Sequence, residues 1–287
     1  MLKKFFAGIL LCGILFTGCG EENNSQTNQA TQEVQNVGML TRLNVSSADV
    51  DKMTEEFYAG HGGEKNYRKT TYYDNFNSMQ LGLTSGQVNE ISTYQSVANY
   101  MKKQDKNFVV KEQTVAIYEN FCCALRDDEN VLREEMNKAI ESMKNDGTLE
   151  KLTQEYIVNI NLDEPPKSIP MQKFDGAETV KVGVTGDLPP LDLILADGTP
   201  AGFNTAVLSE IGKRINKNIE LVTIDSATRA AALISEQVDV VFWAVVPAGE
   251  NPLPQDSDTP KGVQLTDSYY QDKVSNVSMS GVVNAMR

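Results

Sequence analysis

The feature that most constrains this chain is a repeated alternation of short apolar runs with stretches of helical period, from Val37 to Tyr156 and again from Val180 to Val246. Such alternation marks βα units and a mostly parallel sheet, because each buried strand must be covered by a helix. In the first stretch, strands are expected at Val37 to Leu40, Thr70 to Tyr73, Val88 to Thr93, Phe108 to Val110 and Ala116 to Leu125. Ser46 and Asp49 form a capping box before a helix with Val50, Met53 and Phe57 on one face. Phe76, Met79 and Leu83 give a second helix face, and Val97 with Met101 a third. A long helix from about Asn130 carries Leu132, Met136, Ala139, Ile140 and Met143, and Asp146-Gly147 ends it. A shorter helix carries Leu149, Leu152 and Tyr156. Asn161 to Gly176, with Glu164-Pro165-Pro166 and Pro170, reads as a linker.

In the second stretch, the strand Val180 to Val184 leads through a loop, Gly186 to Pro190, to a helix stripe of Val207, Leu208, Ile211 and Ile215. Strands at Ile219 to Ile224 and Val238 to Val246 bracket a helix with Ala230, Leu233 and Ile234. Ala248 to Lys261 is rich in Pro, Asp and Gly and is expected to be a surface loop. Tyr269-Tyr270 and the alternating Val274 to Met279 close the chain.

The 287 residues are enough for about two lobes. Their composition excludes collagen-like, wholly disordered and polytopic membrane classes. A net charge of -13, from 26 basic and 39 acidic residues, argues against nucleic acid as a partner. The single histidine, His61 in Gly60-His61-Gly62-Gly63, disfavours most metal sites and His-based triads, and is most simply a flexible loop residue. No cofactor or metal is expected.

Met1 to Cys19 has two lysines, an apolar run from Phe5 to Phe16 and a small-residue exit, the layout of an export signal and too short for a comfortable membrane span. Leu15-Phe16-Thr17-Gly18-Cys19 resembles the bacterial lipobox, which implies lipidation at Cys19 and a lipid-anchored location on the extracellular or periplasmic side of the cell membrane. Glu21 to Asn36 is polar and reads as a tether. Cys122 and Cys123, as neighbours, are poorly placed for an ordinary loop-closing disulfide and read as small buried residues on a strand, with a redox or metal role as the other reading.

The run from Val180 through Thr185-Gly186-Asp187-Leu188-Pro189-Pro190, Gly202-Phe203-Asn204 and Val238-Asp239-Val240-Val241 resembles the first lobe of family 3 solute-binding proteins, the type II periplasmic binding proteins of amino-acid ABC transporters. Tyr73-Asp74 through Leu83-Thr84-Ser85-Gly86 to Ser96-Val97-Ala98 resembles their second lobe. Phe121 to Arg126 and Asp146 to Leu149 resemble their closing segment. The resemblance implies an α/β, two-lobed type II periplasmic-binding-protein fold whose lobe order is circularly permuted. The expected division is 1–18 signal peptide, 19–36 tether, 37–117 lobe two, 118–160 closing segment of lobe one, 161–176 linker joining the former ends, 177–272 main part of lobe one, and 273–287 a strand returning to lobe two. The alternative is two incomplete copies, each missing a lobe.

The resemblance implies a lipoprotein that closes over a small polar solute, an amino acid or related carboxylate, and delivers it to ABC permease subunits. A dehydratase-like lyase on the same fold and a ligand sensor without transport are the alternatives. In open α/β sheets ligands sit beyond the C-terminal ends of strands. This directs attention to Arg42 and Asn44, to Tyr94, to Asp187 and Leu188, to Phe203, and to Trp243 and Val246. The family's Thr and Arg anchors for a ligand carboxylate are missing after Val246, and Tyr94 stands where the ammonium-binding Asp is expected. A guanidinium fork is the natural replacement anchor, Arg42 first and Arg229 second. On this reading Arg42→Ala abolishes carboxylate binding and leaves the melting temperature (Tm) nearly unchanged. Each residue also has a plainer role: Trp243 as core, Arg42 as a solvated loop charge, Asp187 as a turn cap, and Asp225 and Glu236 as solvated charges at element ends.

Overall fold

Apolar runs buried on both faces need helices on both sides, and the computed structural model, which describes residues 34–62, 68–111 and 113–281, is built on that plan. The expected export signal, with Cys12 and Cys19, lies outside the described residues. The leading lobe runs β1 (Gln35–Leu40), α1 (Ser47–Gly60), β2 (Arg68–Tyr73), α2 (Phe76–Thr84), β3 (Glu90–Tyr94), α3 (Gln95–Gln104) and β4 (Phe108–Lys111). Gln35 and Asn36, read from the sequence as the end of the tether, are part of β1, where Asn36 accepts from Asn89 and pairs beside β2.

The chain then crosses on β5 (Tyr118–Arg126) into the trailing lobe, with α4 (Asn130–Asn145), α5 (Thr148–Thr153) and a π turn at Gln154–Val158. It continues through β6 (Thr179–Val184), β7 (Asp187–Leu188), β8 (Asp192–Ile194), β9 (Pro200–Ala201), α6 (Phe203–Ile215) and β10 (Asn218–Thr223). A 3₁₀ turn at Ser226–Thr228, α7 (Arg229–Ile234), β11 (Val240–Ala248) and β12 (Val263–Leu265) follow, and β13 (Tyr270–Met279) crosses back. The expected loop at Gly186 to Pro190 contains β7, which pairs with β8 in a small three-stranded sheet.

Both lobes use one strand pattern. In the leading lobe the order is β2-β1-β3-β13, with β4 on the far side of β13; in the trailing lobe it is β10-β6-β11-β5, with β12 on the far side of β5. The first three strands of each set are parallel, and the crossing strands β13 and β5 are antiparallel to their neighbours. Tyr270 to Lys273 pair with β5, and Val274 to Ser278 pair with β3, so β13 passes from one lobe to the other within a single residue step. One apolar cluster, including Phe76, Met79, Phe121, Phe203 and Phe242, runs through both lobes. Truncating any of these four phenylalanines to alanine costs roughly 3–5 kcal/mol.

Local signals explain the element ends. Ser46 accepts from the Asp49 N–H as the N-cap of α1. Gly147, at φ 77°, turns the chain between α4 and α5. At Gly202, φ 100°, a Cβ would lie 2.7 Å from the Leu191 carbonyl oxygen, so the start of α6 requires glycine. Helix α7 buries Ala232 and Leu233 but leaves Ile234 exposed, so the expected stripe is shifted. No helix among the described residues is long and apolar enough to cross a membrane.

Candidate functional site

The C-terminal ends of β1 and β3 and the middle of β11 meet between the lobes, where residues of both line a cavity of about 20 Å³. That volume holds about one water and no amino acid. Of the eight ligand-binding residues expected from sequence, Arg42, Tyr94 and Trp243 line it. Glu119, Arg229 and Asp258 line it as well.

Trp243 owes its position to a β-bulge. The register of β11 against β5 shifts between Phe242 and Ala244, and Trp243 itself sits at φ 83°. A bulky residue at positive φ is strained, and such strain concentrates at functional sites. Here it lets the Trp243 carbonyl accept from Arg229 while the indole lies under the guanidinium, 4.6 Å from ring centre to Cζ. Tyr94 packs edge-on against both Trp243 and Phe121. Burial, followed by the Glu119 charge, pushes its phenol well above the usual range, so Tyr94 is neutral at physiological pH.

Arg42 does not present a whole free fork to a ligand carboxylate, because its Nη2 is taken by Glu119. It is ion-paired with Glu119 on β5, the two side chains 9% and 2% exposed. Burial opposes the Arg42 charge, but Glu119 and the neighbouring acidic groups outweigh it and raise its pKa. Arg42 Nη1, Glu119 Oε2 and Trp243 Nε1 are buried polar atoms of cavity-lining residues with no protein partner, so a small polar guest has donors and an acceptor to meet.

Arg229, at the start of α7, spends all five of its N–H donors. Nε donates to the Ser226 carbonyl at 2.9 Å, Nη1 to the Trp243 carbonyl at 3.0 Å, and Nη2 to the Thr41 carbonyl at 3.0 Å. Its fork holds the Asp258 carboxylate at 2.8 and 3.1 Å. Asp258 belongs to the run expected to be a surface loop, yet it is 0% exposed. The loop is instead a strap on the leading lobe, fastened by the Asn44 N–H to the Ser257 carbonyl and by Asn44 Nδ2 to Asp256. Asn44 is thus a strap fastener at the surface.

The remaining expected residues lie off the cavity. Asp187 accepts from the Asn77 N–H at 2.9 Å, capping α2 across the lobes instead of its own turn. Leu188 and Phe203 are apolar core, because β7 and the first turn of α6 face inward. Val246 pairs with Asn120 on β5, and Val245 lines the cavity in its place. His61 is the C-cap of α1, bonded to the Phe57 carbonyl and to Glu250 of the strap. Cys122 and Cys123 are free and buried on β5, and burial pushes the Cys122 thiol up to about 12, which leaves it unreactive.

Sequence reasoning missed Glu119 and Asp258. Glu119 carried a signal, since it stands two residues before Phe121 and so shares its inward face. Asp258 had none, because nothing local distinguishes a buried aspartate in a Pro- and Asp-rich loop.

Residues 180–250 match the family model of bacterial extracellular solute-binding proteins, family 3. They span β6 to the start of the strap. The chain is similar in fold to the ligand-binding component of an ABC-type import system from Staphylococcus aureus with zinc bound, at 13% identity and TM-score 0.46, covering 89% of this chain and 69% of that one. It is also similar to a pheromone cOB1 precursor/lipoprotein of the YaeC family from Enterococcus faecalis V583, at 14% identity and TM-score 0.44, with 88% of each chain covered. A third similar structure is the VFT2 domain of BvgS from Bordetella pertussis, at 11% identity and TM-score 0.41, covering 88% of this chain and 81% of that one. No curated protein matches.

Proposed function

We propose, from the family 3 match over residues 180–250, that this chain is an extracellular solute-binding lipoprotein of an ABC import system. It takes a small polar solute, an amino acid or related carboxylate, between its lobes and is held to the membrane through Cys19. The match carries the reading, and the cleft supports it. The cleft draws charged and aromatic residues from both lobes, so a guest that touches both favours the closed arrangement. We also read the lobe order as a circular permutation, with 161–176 joining the former ends; the chain's passage from leading lobe to trailing lobe and back on β13 supports this.

A thermal-shift screen of the folded body beginning at Val34, with amino acids, small peptides, dicarboxylates and polyamines, tests the function. A ligand at 100 times its dissociation constant should stabilise the body by about 2.7 kcal/mol. A hit recovered chemically unchanged supports solute binding. No hit from any class favours the second reading, a sensor or scaffold whose cleft no longer binds small molecules, which draws support from a cleft with room for about one water. The lyase reading has less support, because of its two acid-base candidates Asp187 is engaged by α2 and Tyr94, though it lines the cavity, is held neutral by burial.

A further inference from the structure

The cleft is filled by the chain's own carboxylate. Asp258 accepts from four donors on both lobes: the two Arg229 nitrogens, the Val245 N–H at 3.3 Å and the Leu43 N–H at 3.2 Å. Arg229 is 2% exposed and Asp258 0%. A guanidinium fork flanked by two amides is the geometry that recognises a planar carboxylate. The strap that delivers Asp258 is anchored at a distance by Leu253, which packs with Met39, Val45 and Val50 of the leading lobe.

We propose that Arg229 and the Leu43 and Val245 amides form a carboxylate-binding site between the lobes, and that Asp258 is its tethered occupant. The strap is then a plug, and a free carboxylate enters only as Asp258 leaves. A tethered group competes at an effective concentration of about millimolar or more, so only a ligand with further contacts in the cleft displaces it. Leaving Arg229 buried without an anion is strongly unfavourable, so release of the strap and entry of the guest are coupled. The proposal stands on the geometry of the strap; it rests on the solute-binding reading only for the nature of the natural competitor, and its test uses none.

The test is chemical rescue of Asp258→Ala in the full-length chain. The variant should melt roughly 10 °C below wild type. Sodium acetate or formate, up to about 100 mM at constant ionic strength, should return at least half of that loss with a saturating dose dependence. Wild type should not respond beyond a sodium chloride control, and Arg229→Met combined with Asp258→Ala should lose the response. An Asp258→Ala protein indifferent to both carboxylates, or a wild type that responds equally, overturns the proposal. If the variant does not fold in chloride, it should refold from urea in acetate; failure in both salts also counts against the site. A failed solute screen with successful rescue would sink the transport reading and leave the plug standing.

Discussion

At the scale of the residue, charge placement decides what the cleft can do. Sequence reasoning put Arg42 on a loop, free to hold a ligand, with a truncation that leaves Tm unchanged. The structure buries it against Glu119, so Arg42→Ala should instead destabilise by about 3–5 kcal/mol, because it strands a buried carboxylate. Arg42→Met combined with Glu119→Leu should recover most of that loss, and urea denaturation of the three proteins measures both effects. The chain's one tryptophan gives a second prediction. Trp243 is 3% exposed under Arg229, so its emission should be blue-shifted in wild type and resistant to iodide quenching. In Asp258→Ala it should shift to the red and become quenchable, and acetate should reverse both changes. That Trp243 lines the cleft was legible in part, since the rule for strand ends in parallel sheets drew attention to Trp243 to Val246, although Trp243 sits in the middle of β11. Its partner Asp258 was not, because a guanidinium selects a carboxylate by proximity in the fold and not in the chain.

At the scale of the element, the helices divide by where their caps come from. Ser46 caps α1 from the adjacent residue, and that pattern could be read directly. Helices α2 and α3 also receive carboxylates from far along the chain: Asp187 bonds the Asn77 N–H, and Asp272 on β13 bonds the Ser96 N–H at 3.1 Å. Each lies at a helix start, where negative charge is favoured, and each is hidden from any local rule. Asp187 yields a pH prediction. Burial, only partly offset by the Asn77 bond, raises its pKa above the ordinary 3.8. A raised carboxyl prefers its protonated form in the folded state, so its contribution is intact below the ordinary value and lost as pH rises through the raised one. Asp187 Oδ1 has no partner, so an amide fits there without losing a bond. Asp187→Asn should therefore match or exceed wild type in Tm at neutral pH by up to a few degrees, with the advantage shrinking towards about pH 3. An advantage that grows on acidification would contradict this assignment.

At the scale of the whole molecule, the sheet determines where chain ends can be exchanged. The alternation of apolar runs and helical stripes announced βα units, and the two-strand crossover was legible only through the resemblance. Pairing of β13 with β5 joins residues more than 140 positions apart, beyond the reach of any periodicity. That pairing has a geometric consequence. Val37 on β1 and Ser278 on β13 both lie beside Glu90 on β3, from opposite sides. The start of β1 and the end of β13 are therefore two strand spacings apart, about 10 Å. A linker of about five residues spans that gap with slack. Joining 281 to 34 in this way, and opening the chain within 161–176, should give a body that begins with β6 and places the trailing lobe first. Because the opened segment contributes no strand to the main sheet, the relinked body should fold and melt within a few degrees of the original. Its rescued Asp258→Ala form should respond to acetate in the same way, since Arg229, Val245 and Leu43 keep their places. A relinked chain that cannot fold would mean that 161–176 is an integral part of the trailing lobe. The permutation reading would then lose its main physical support, because a joint between former ends must be dispensable.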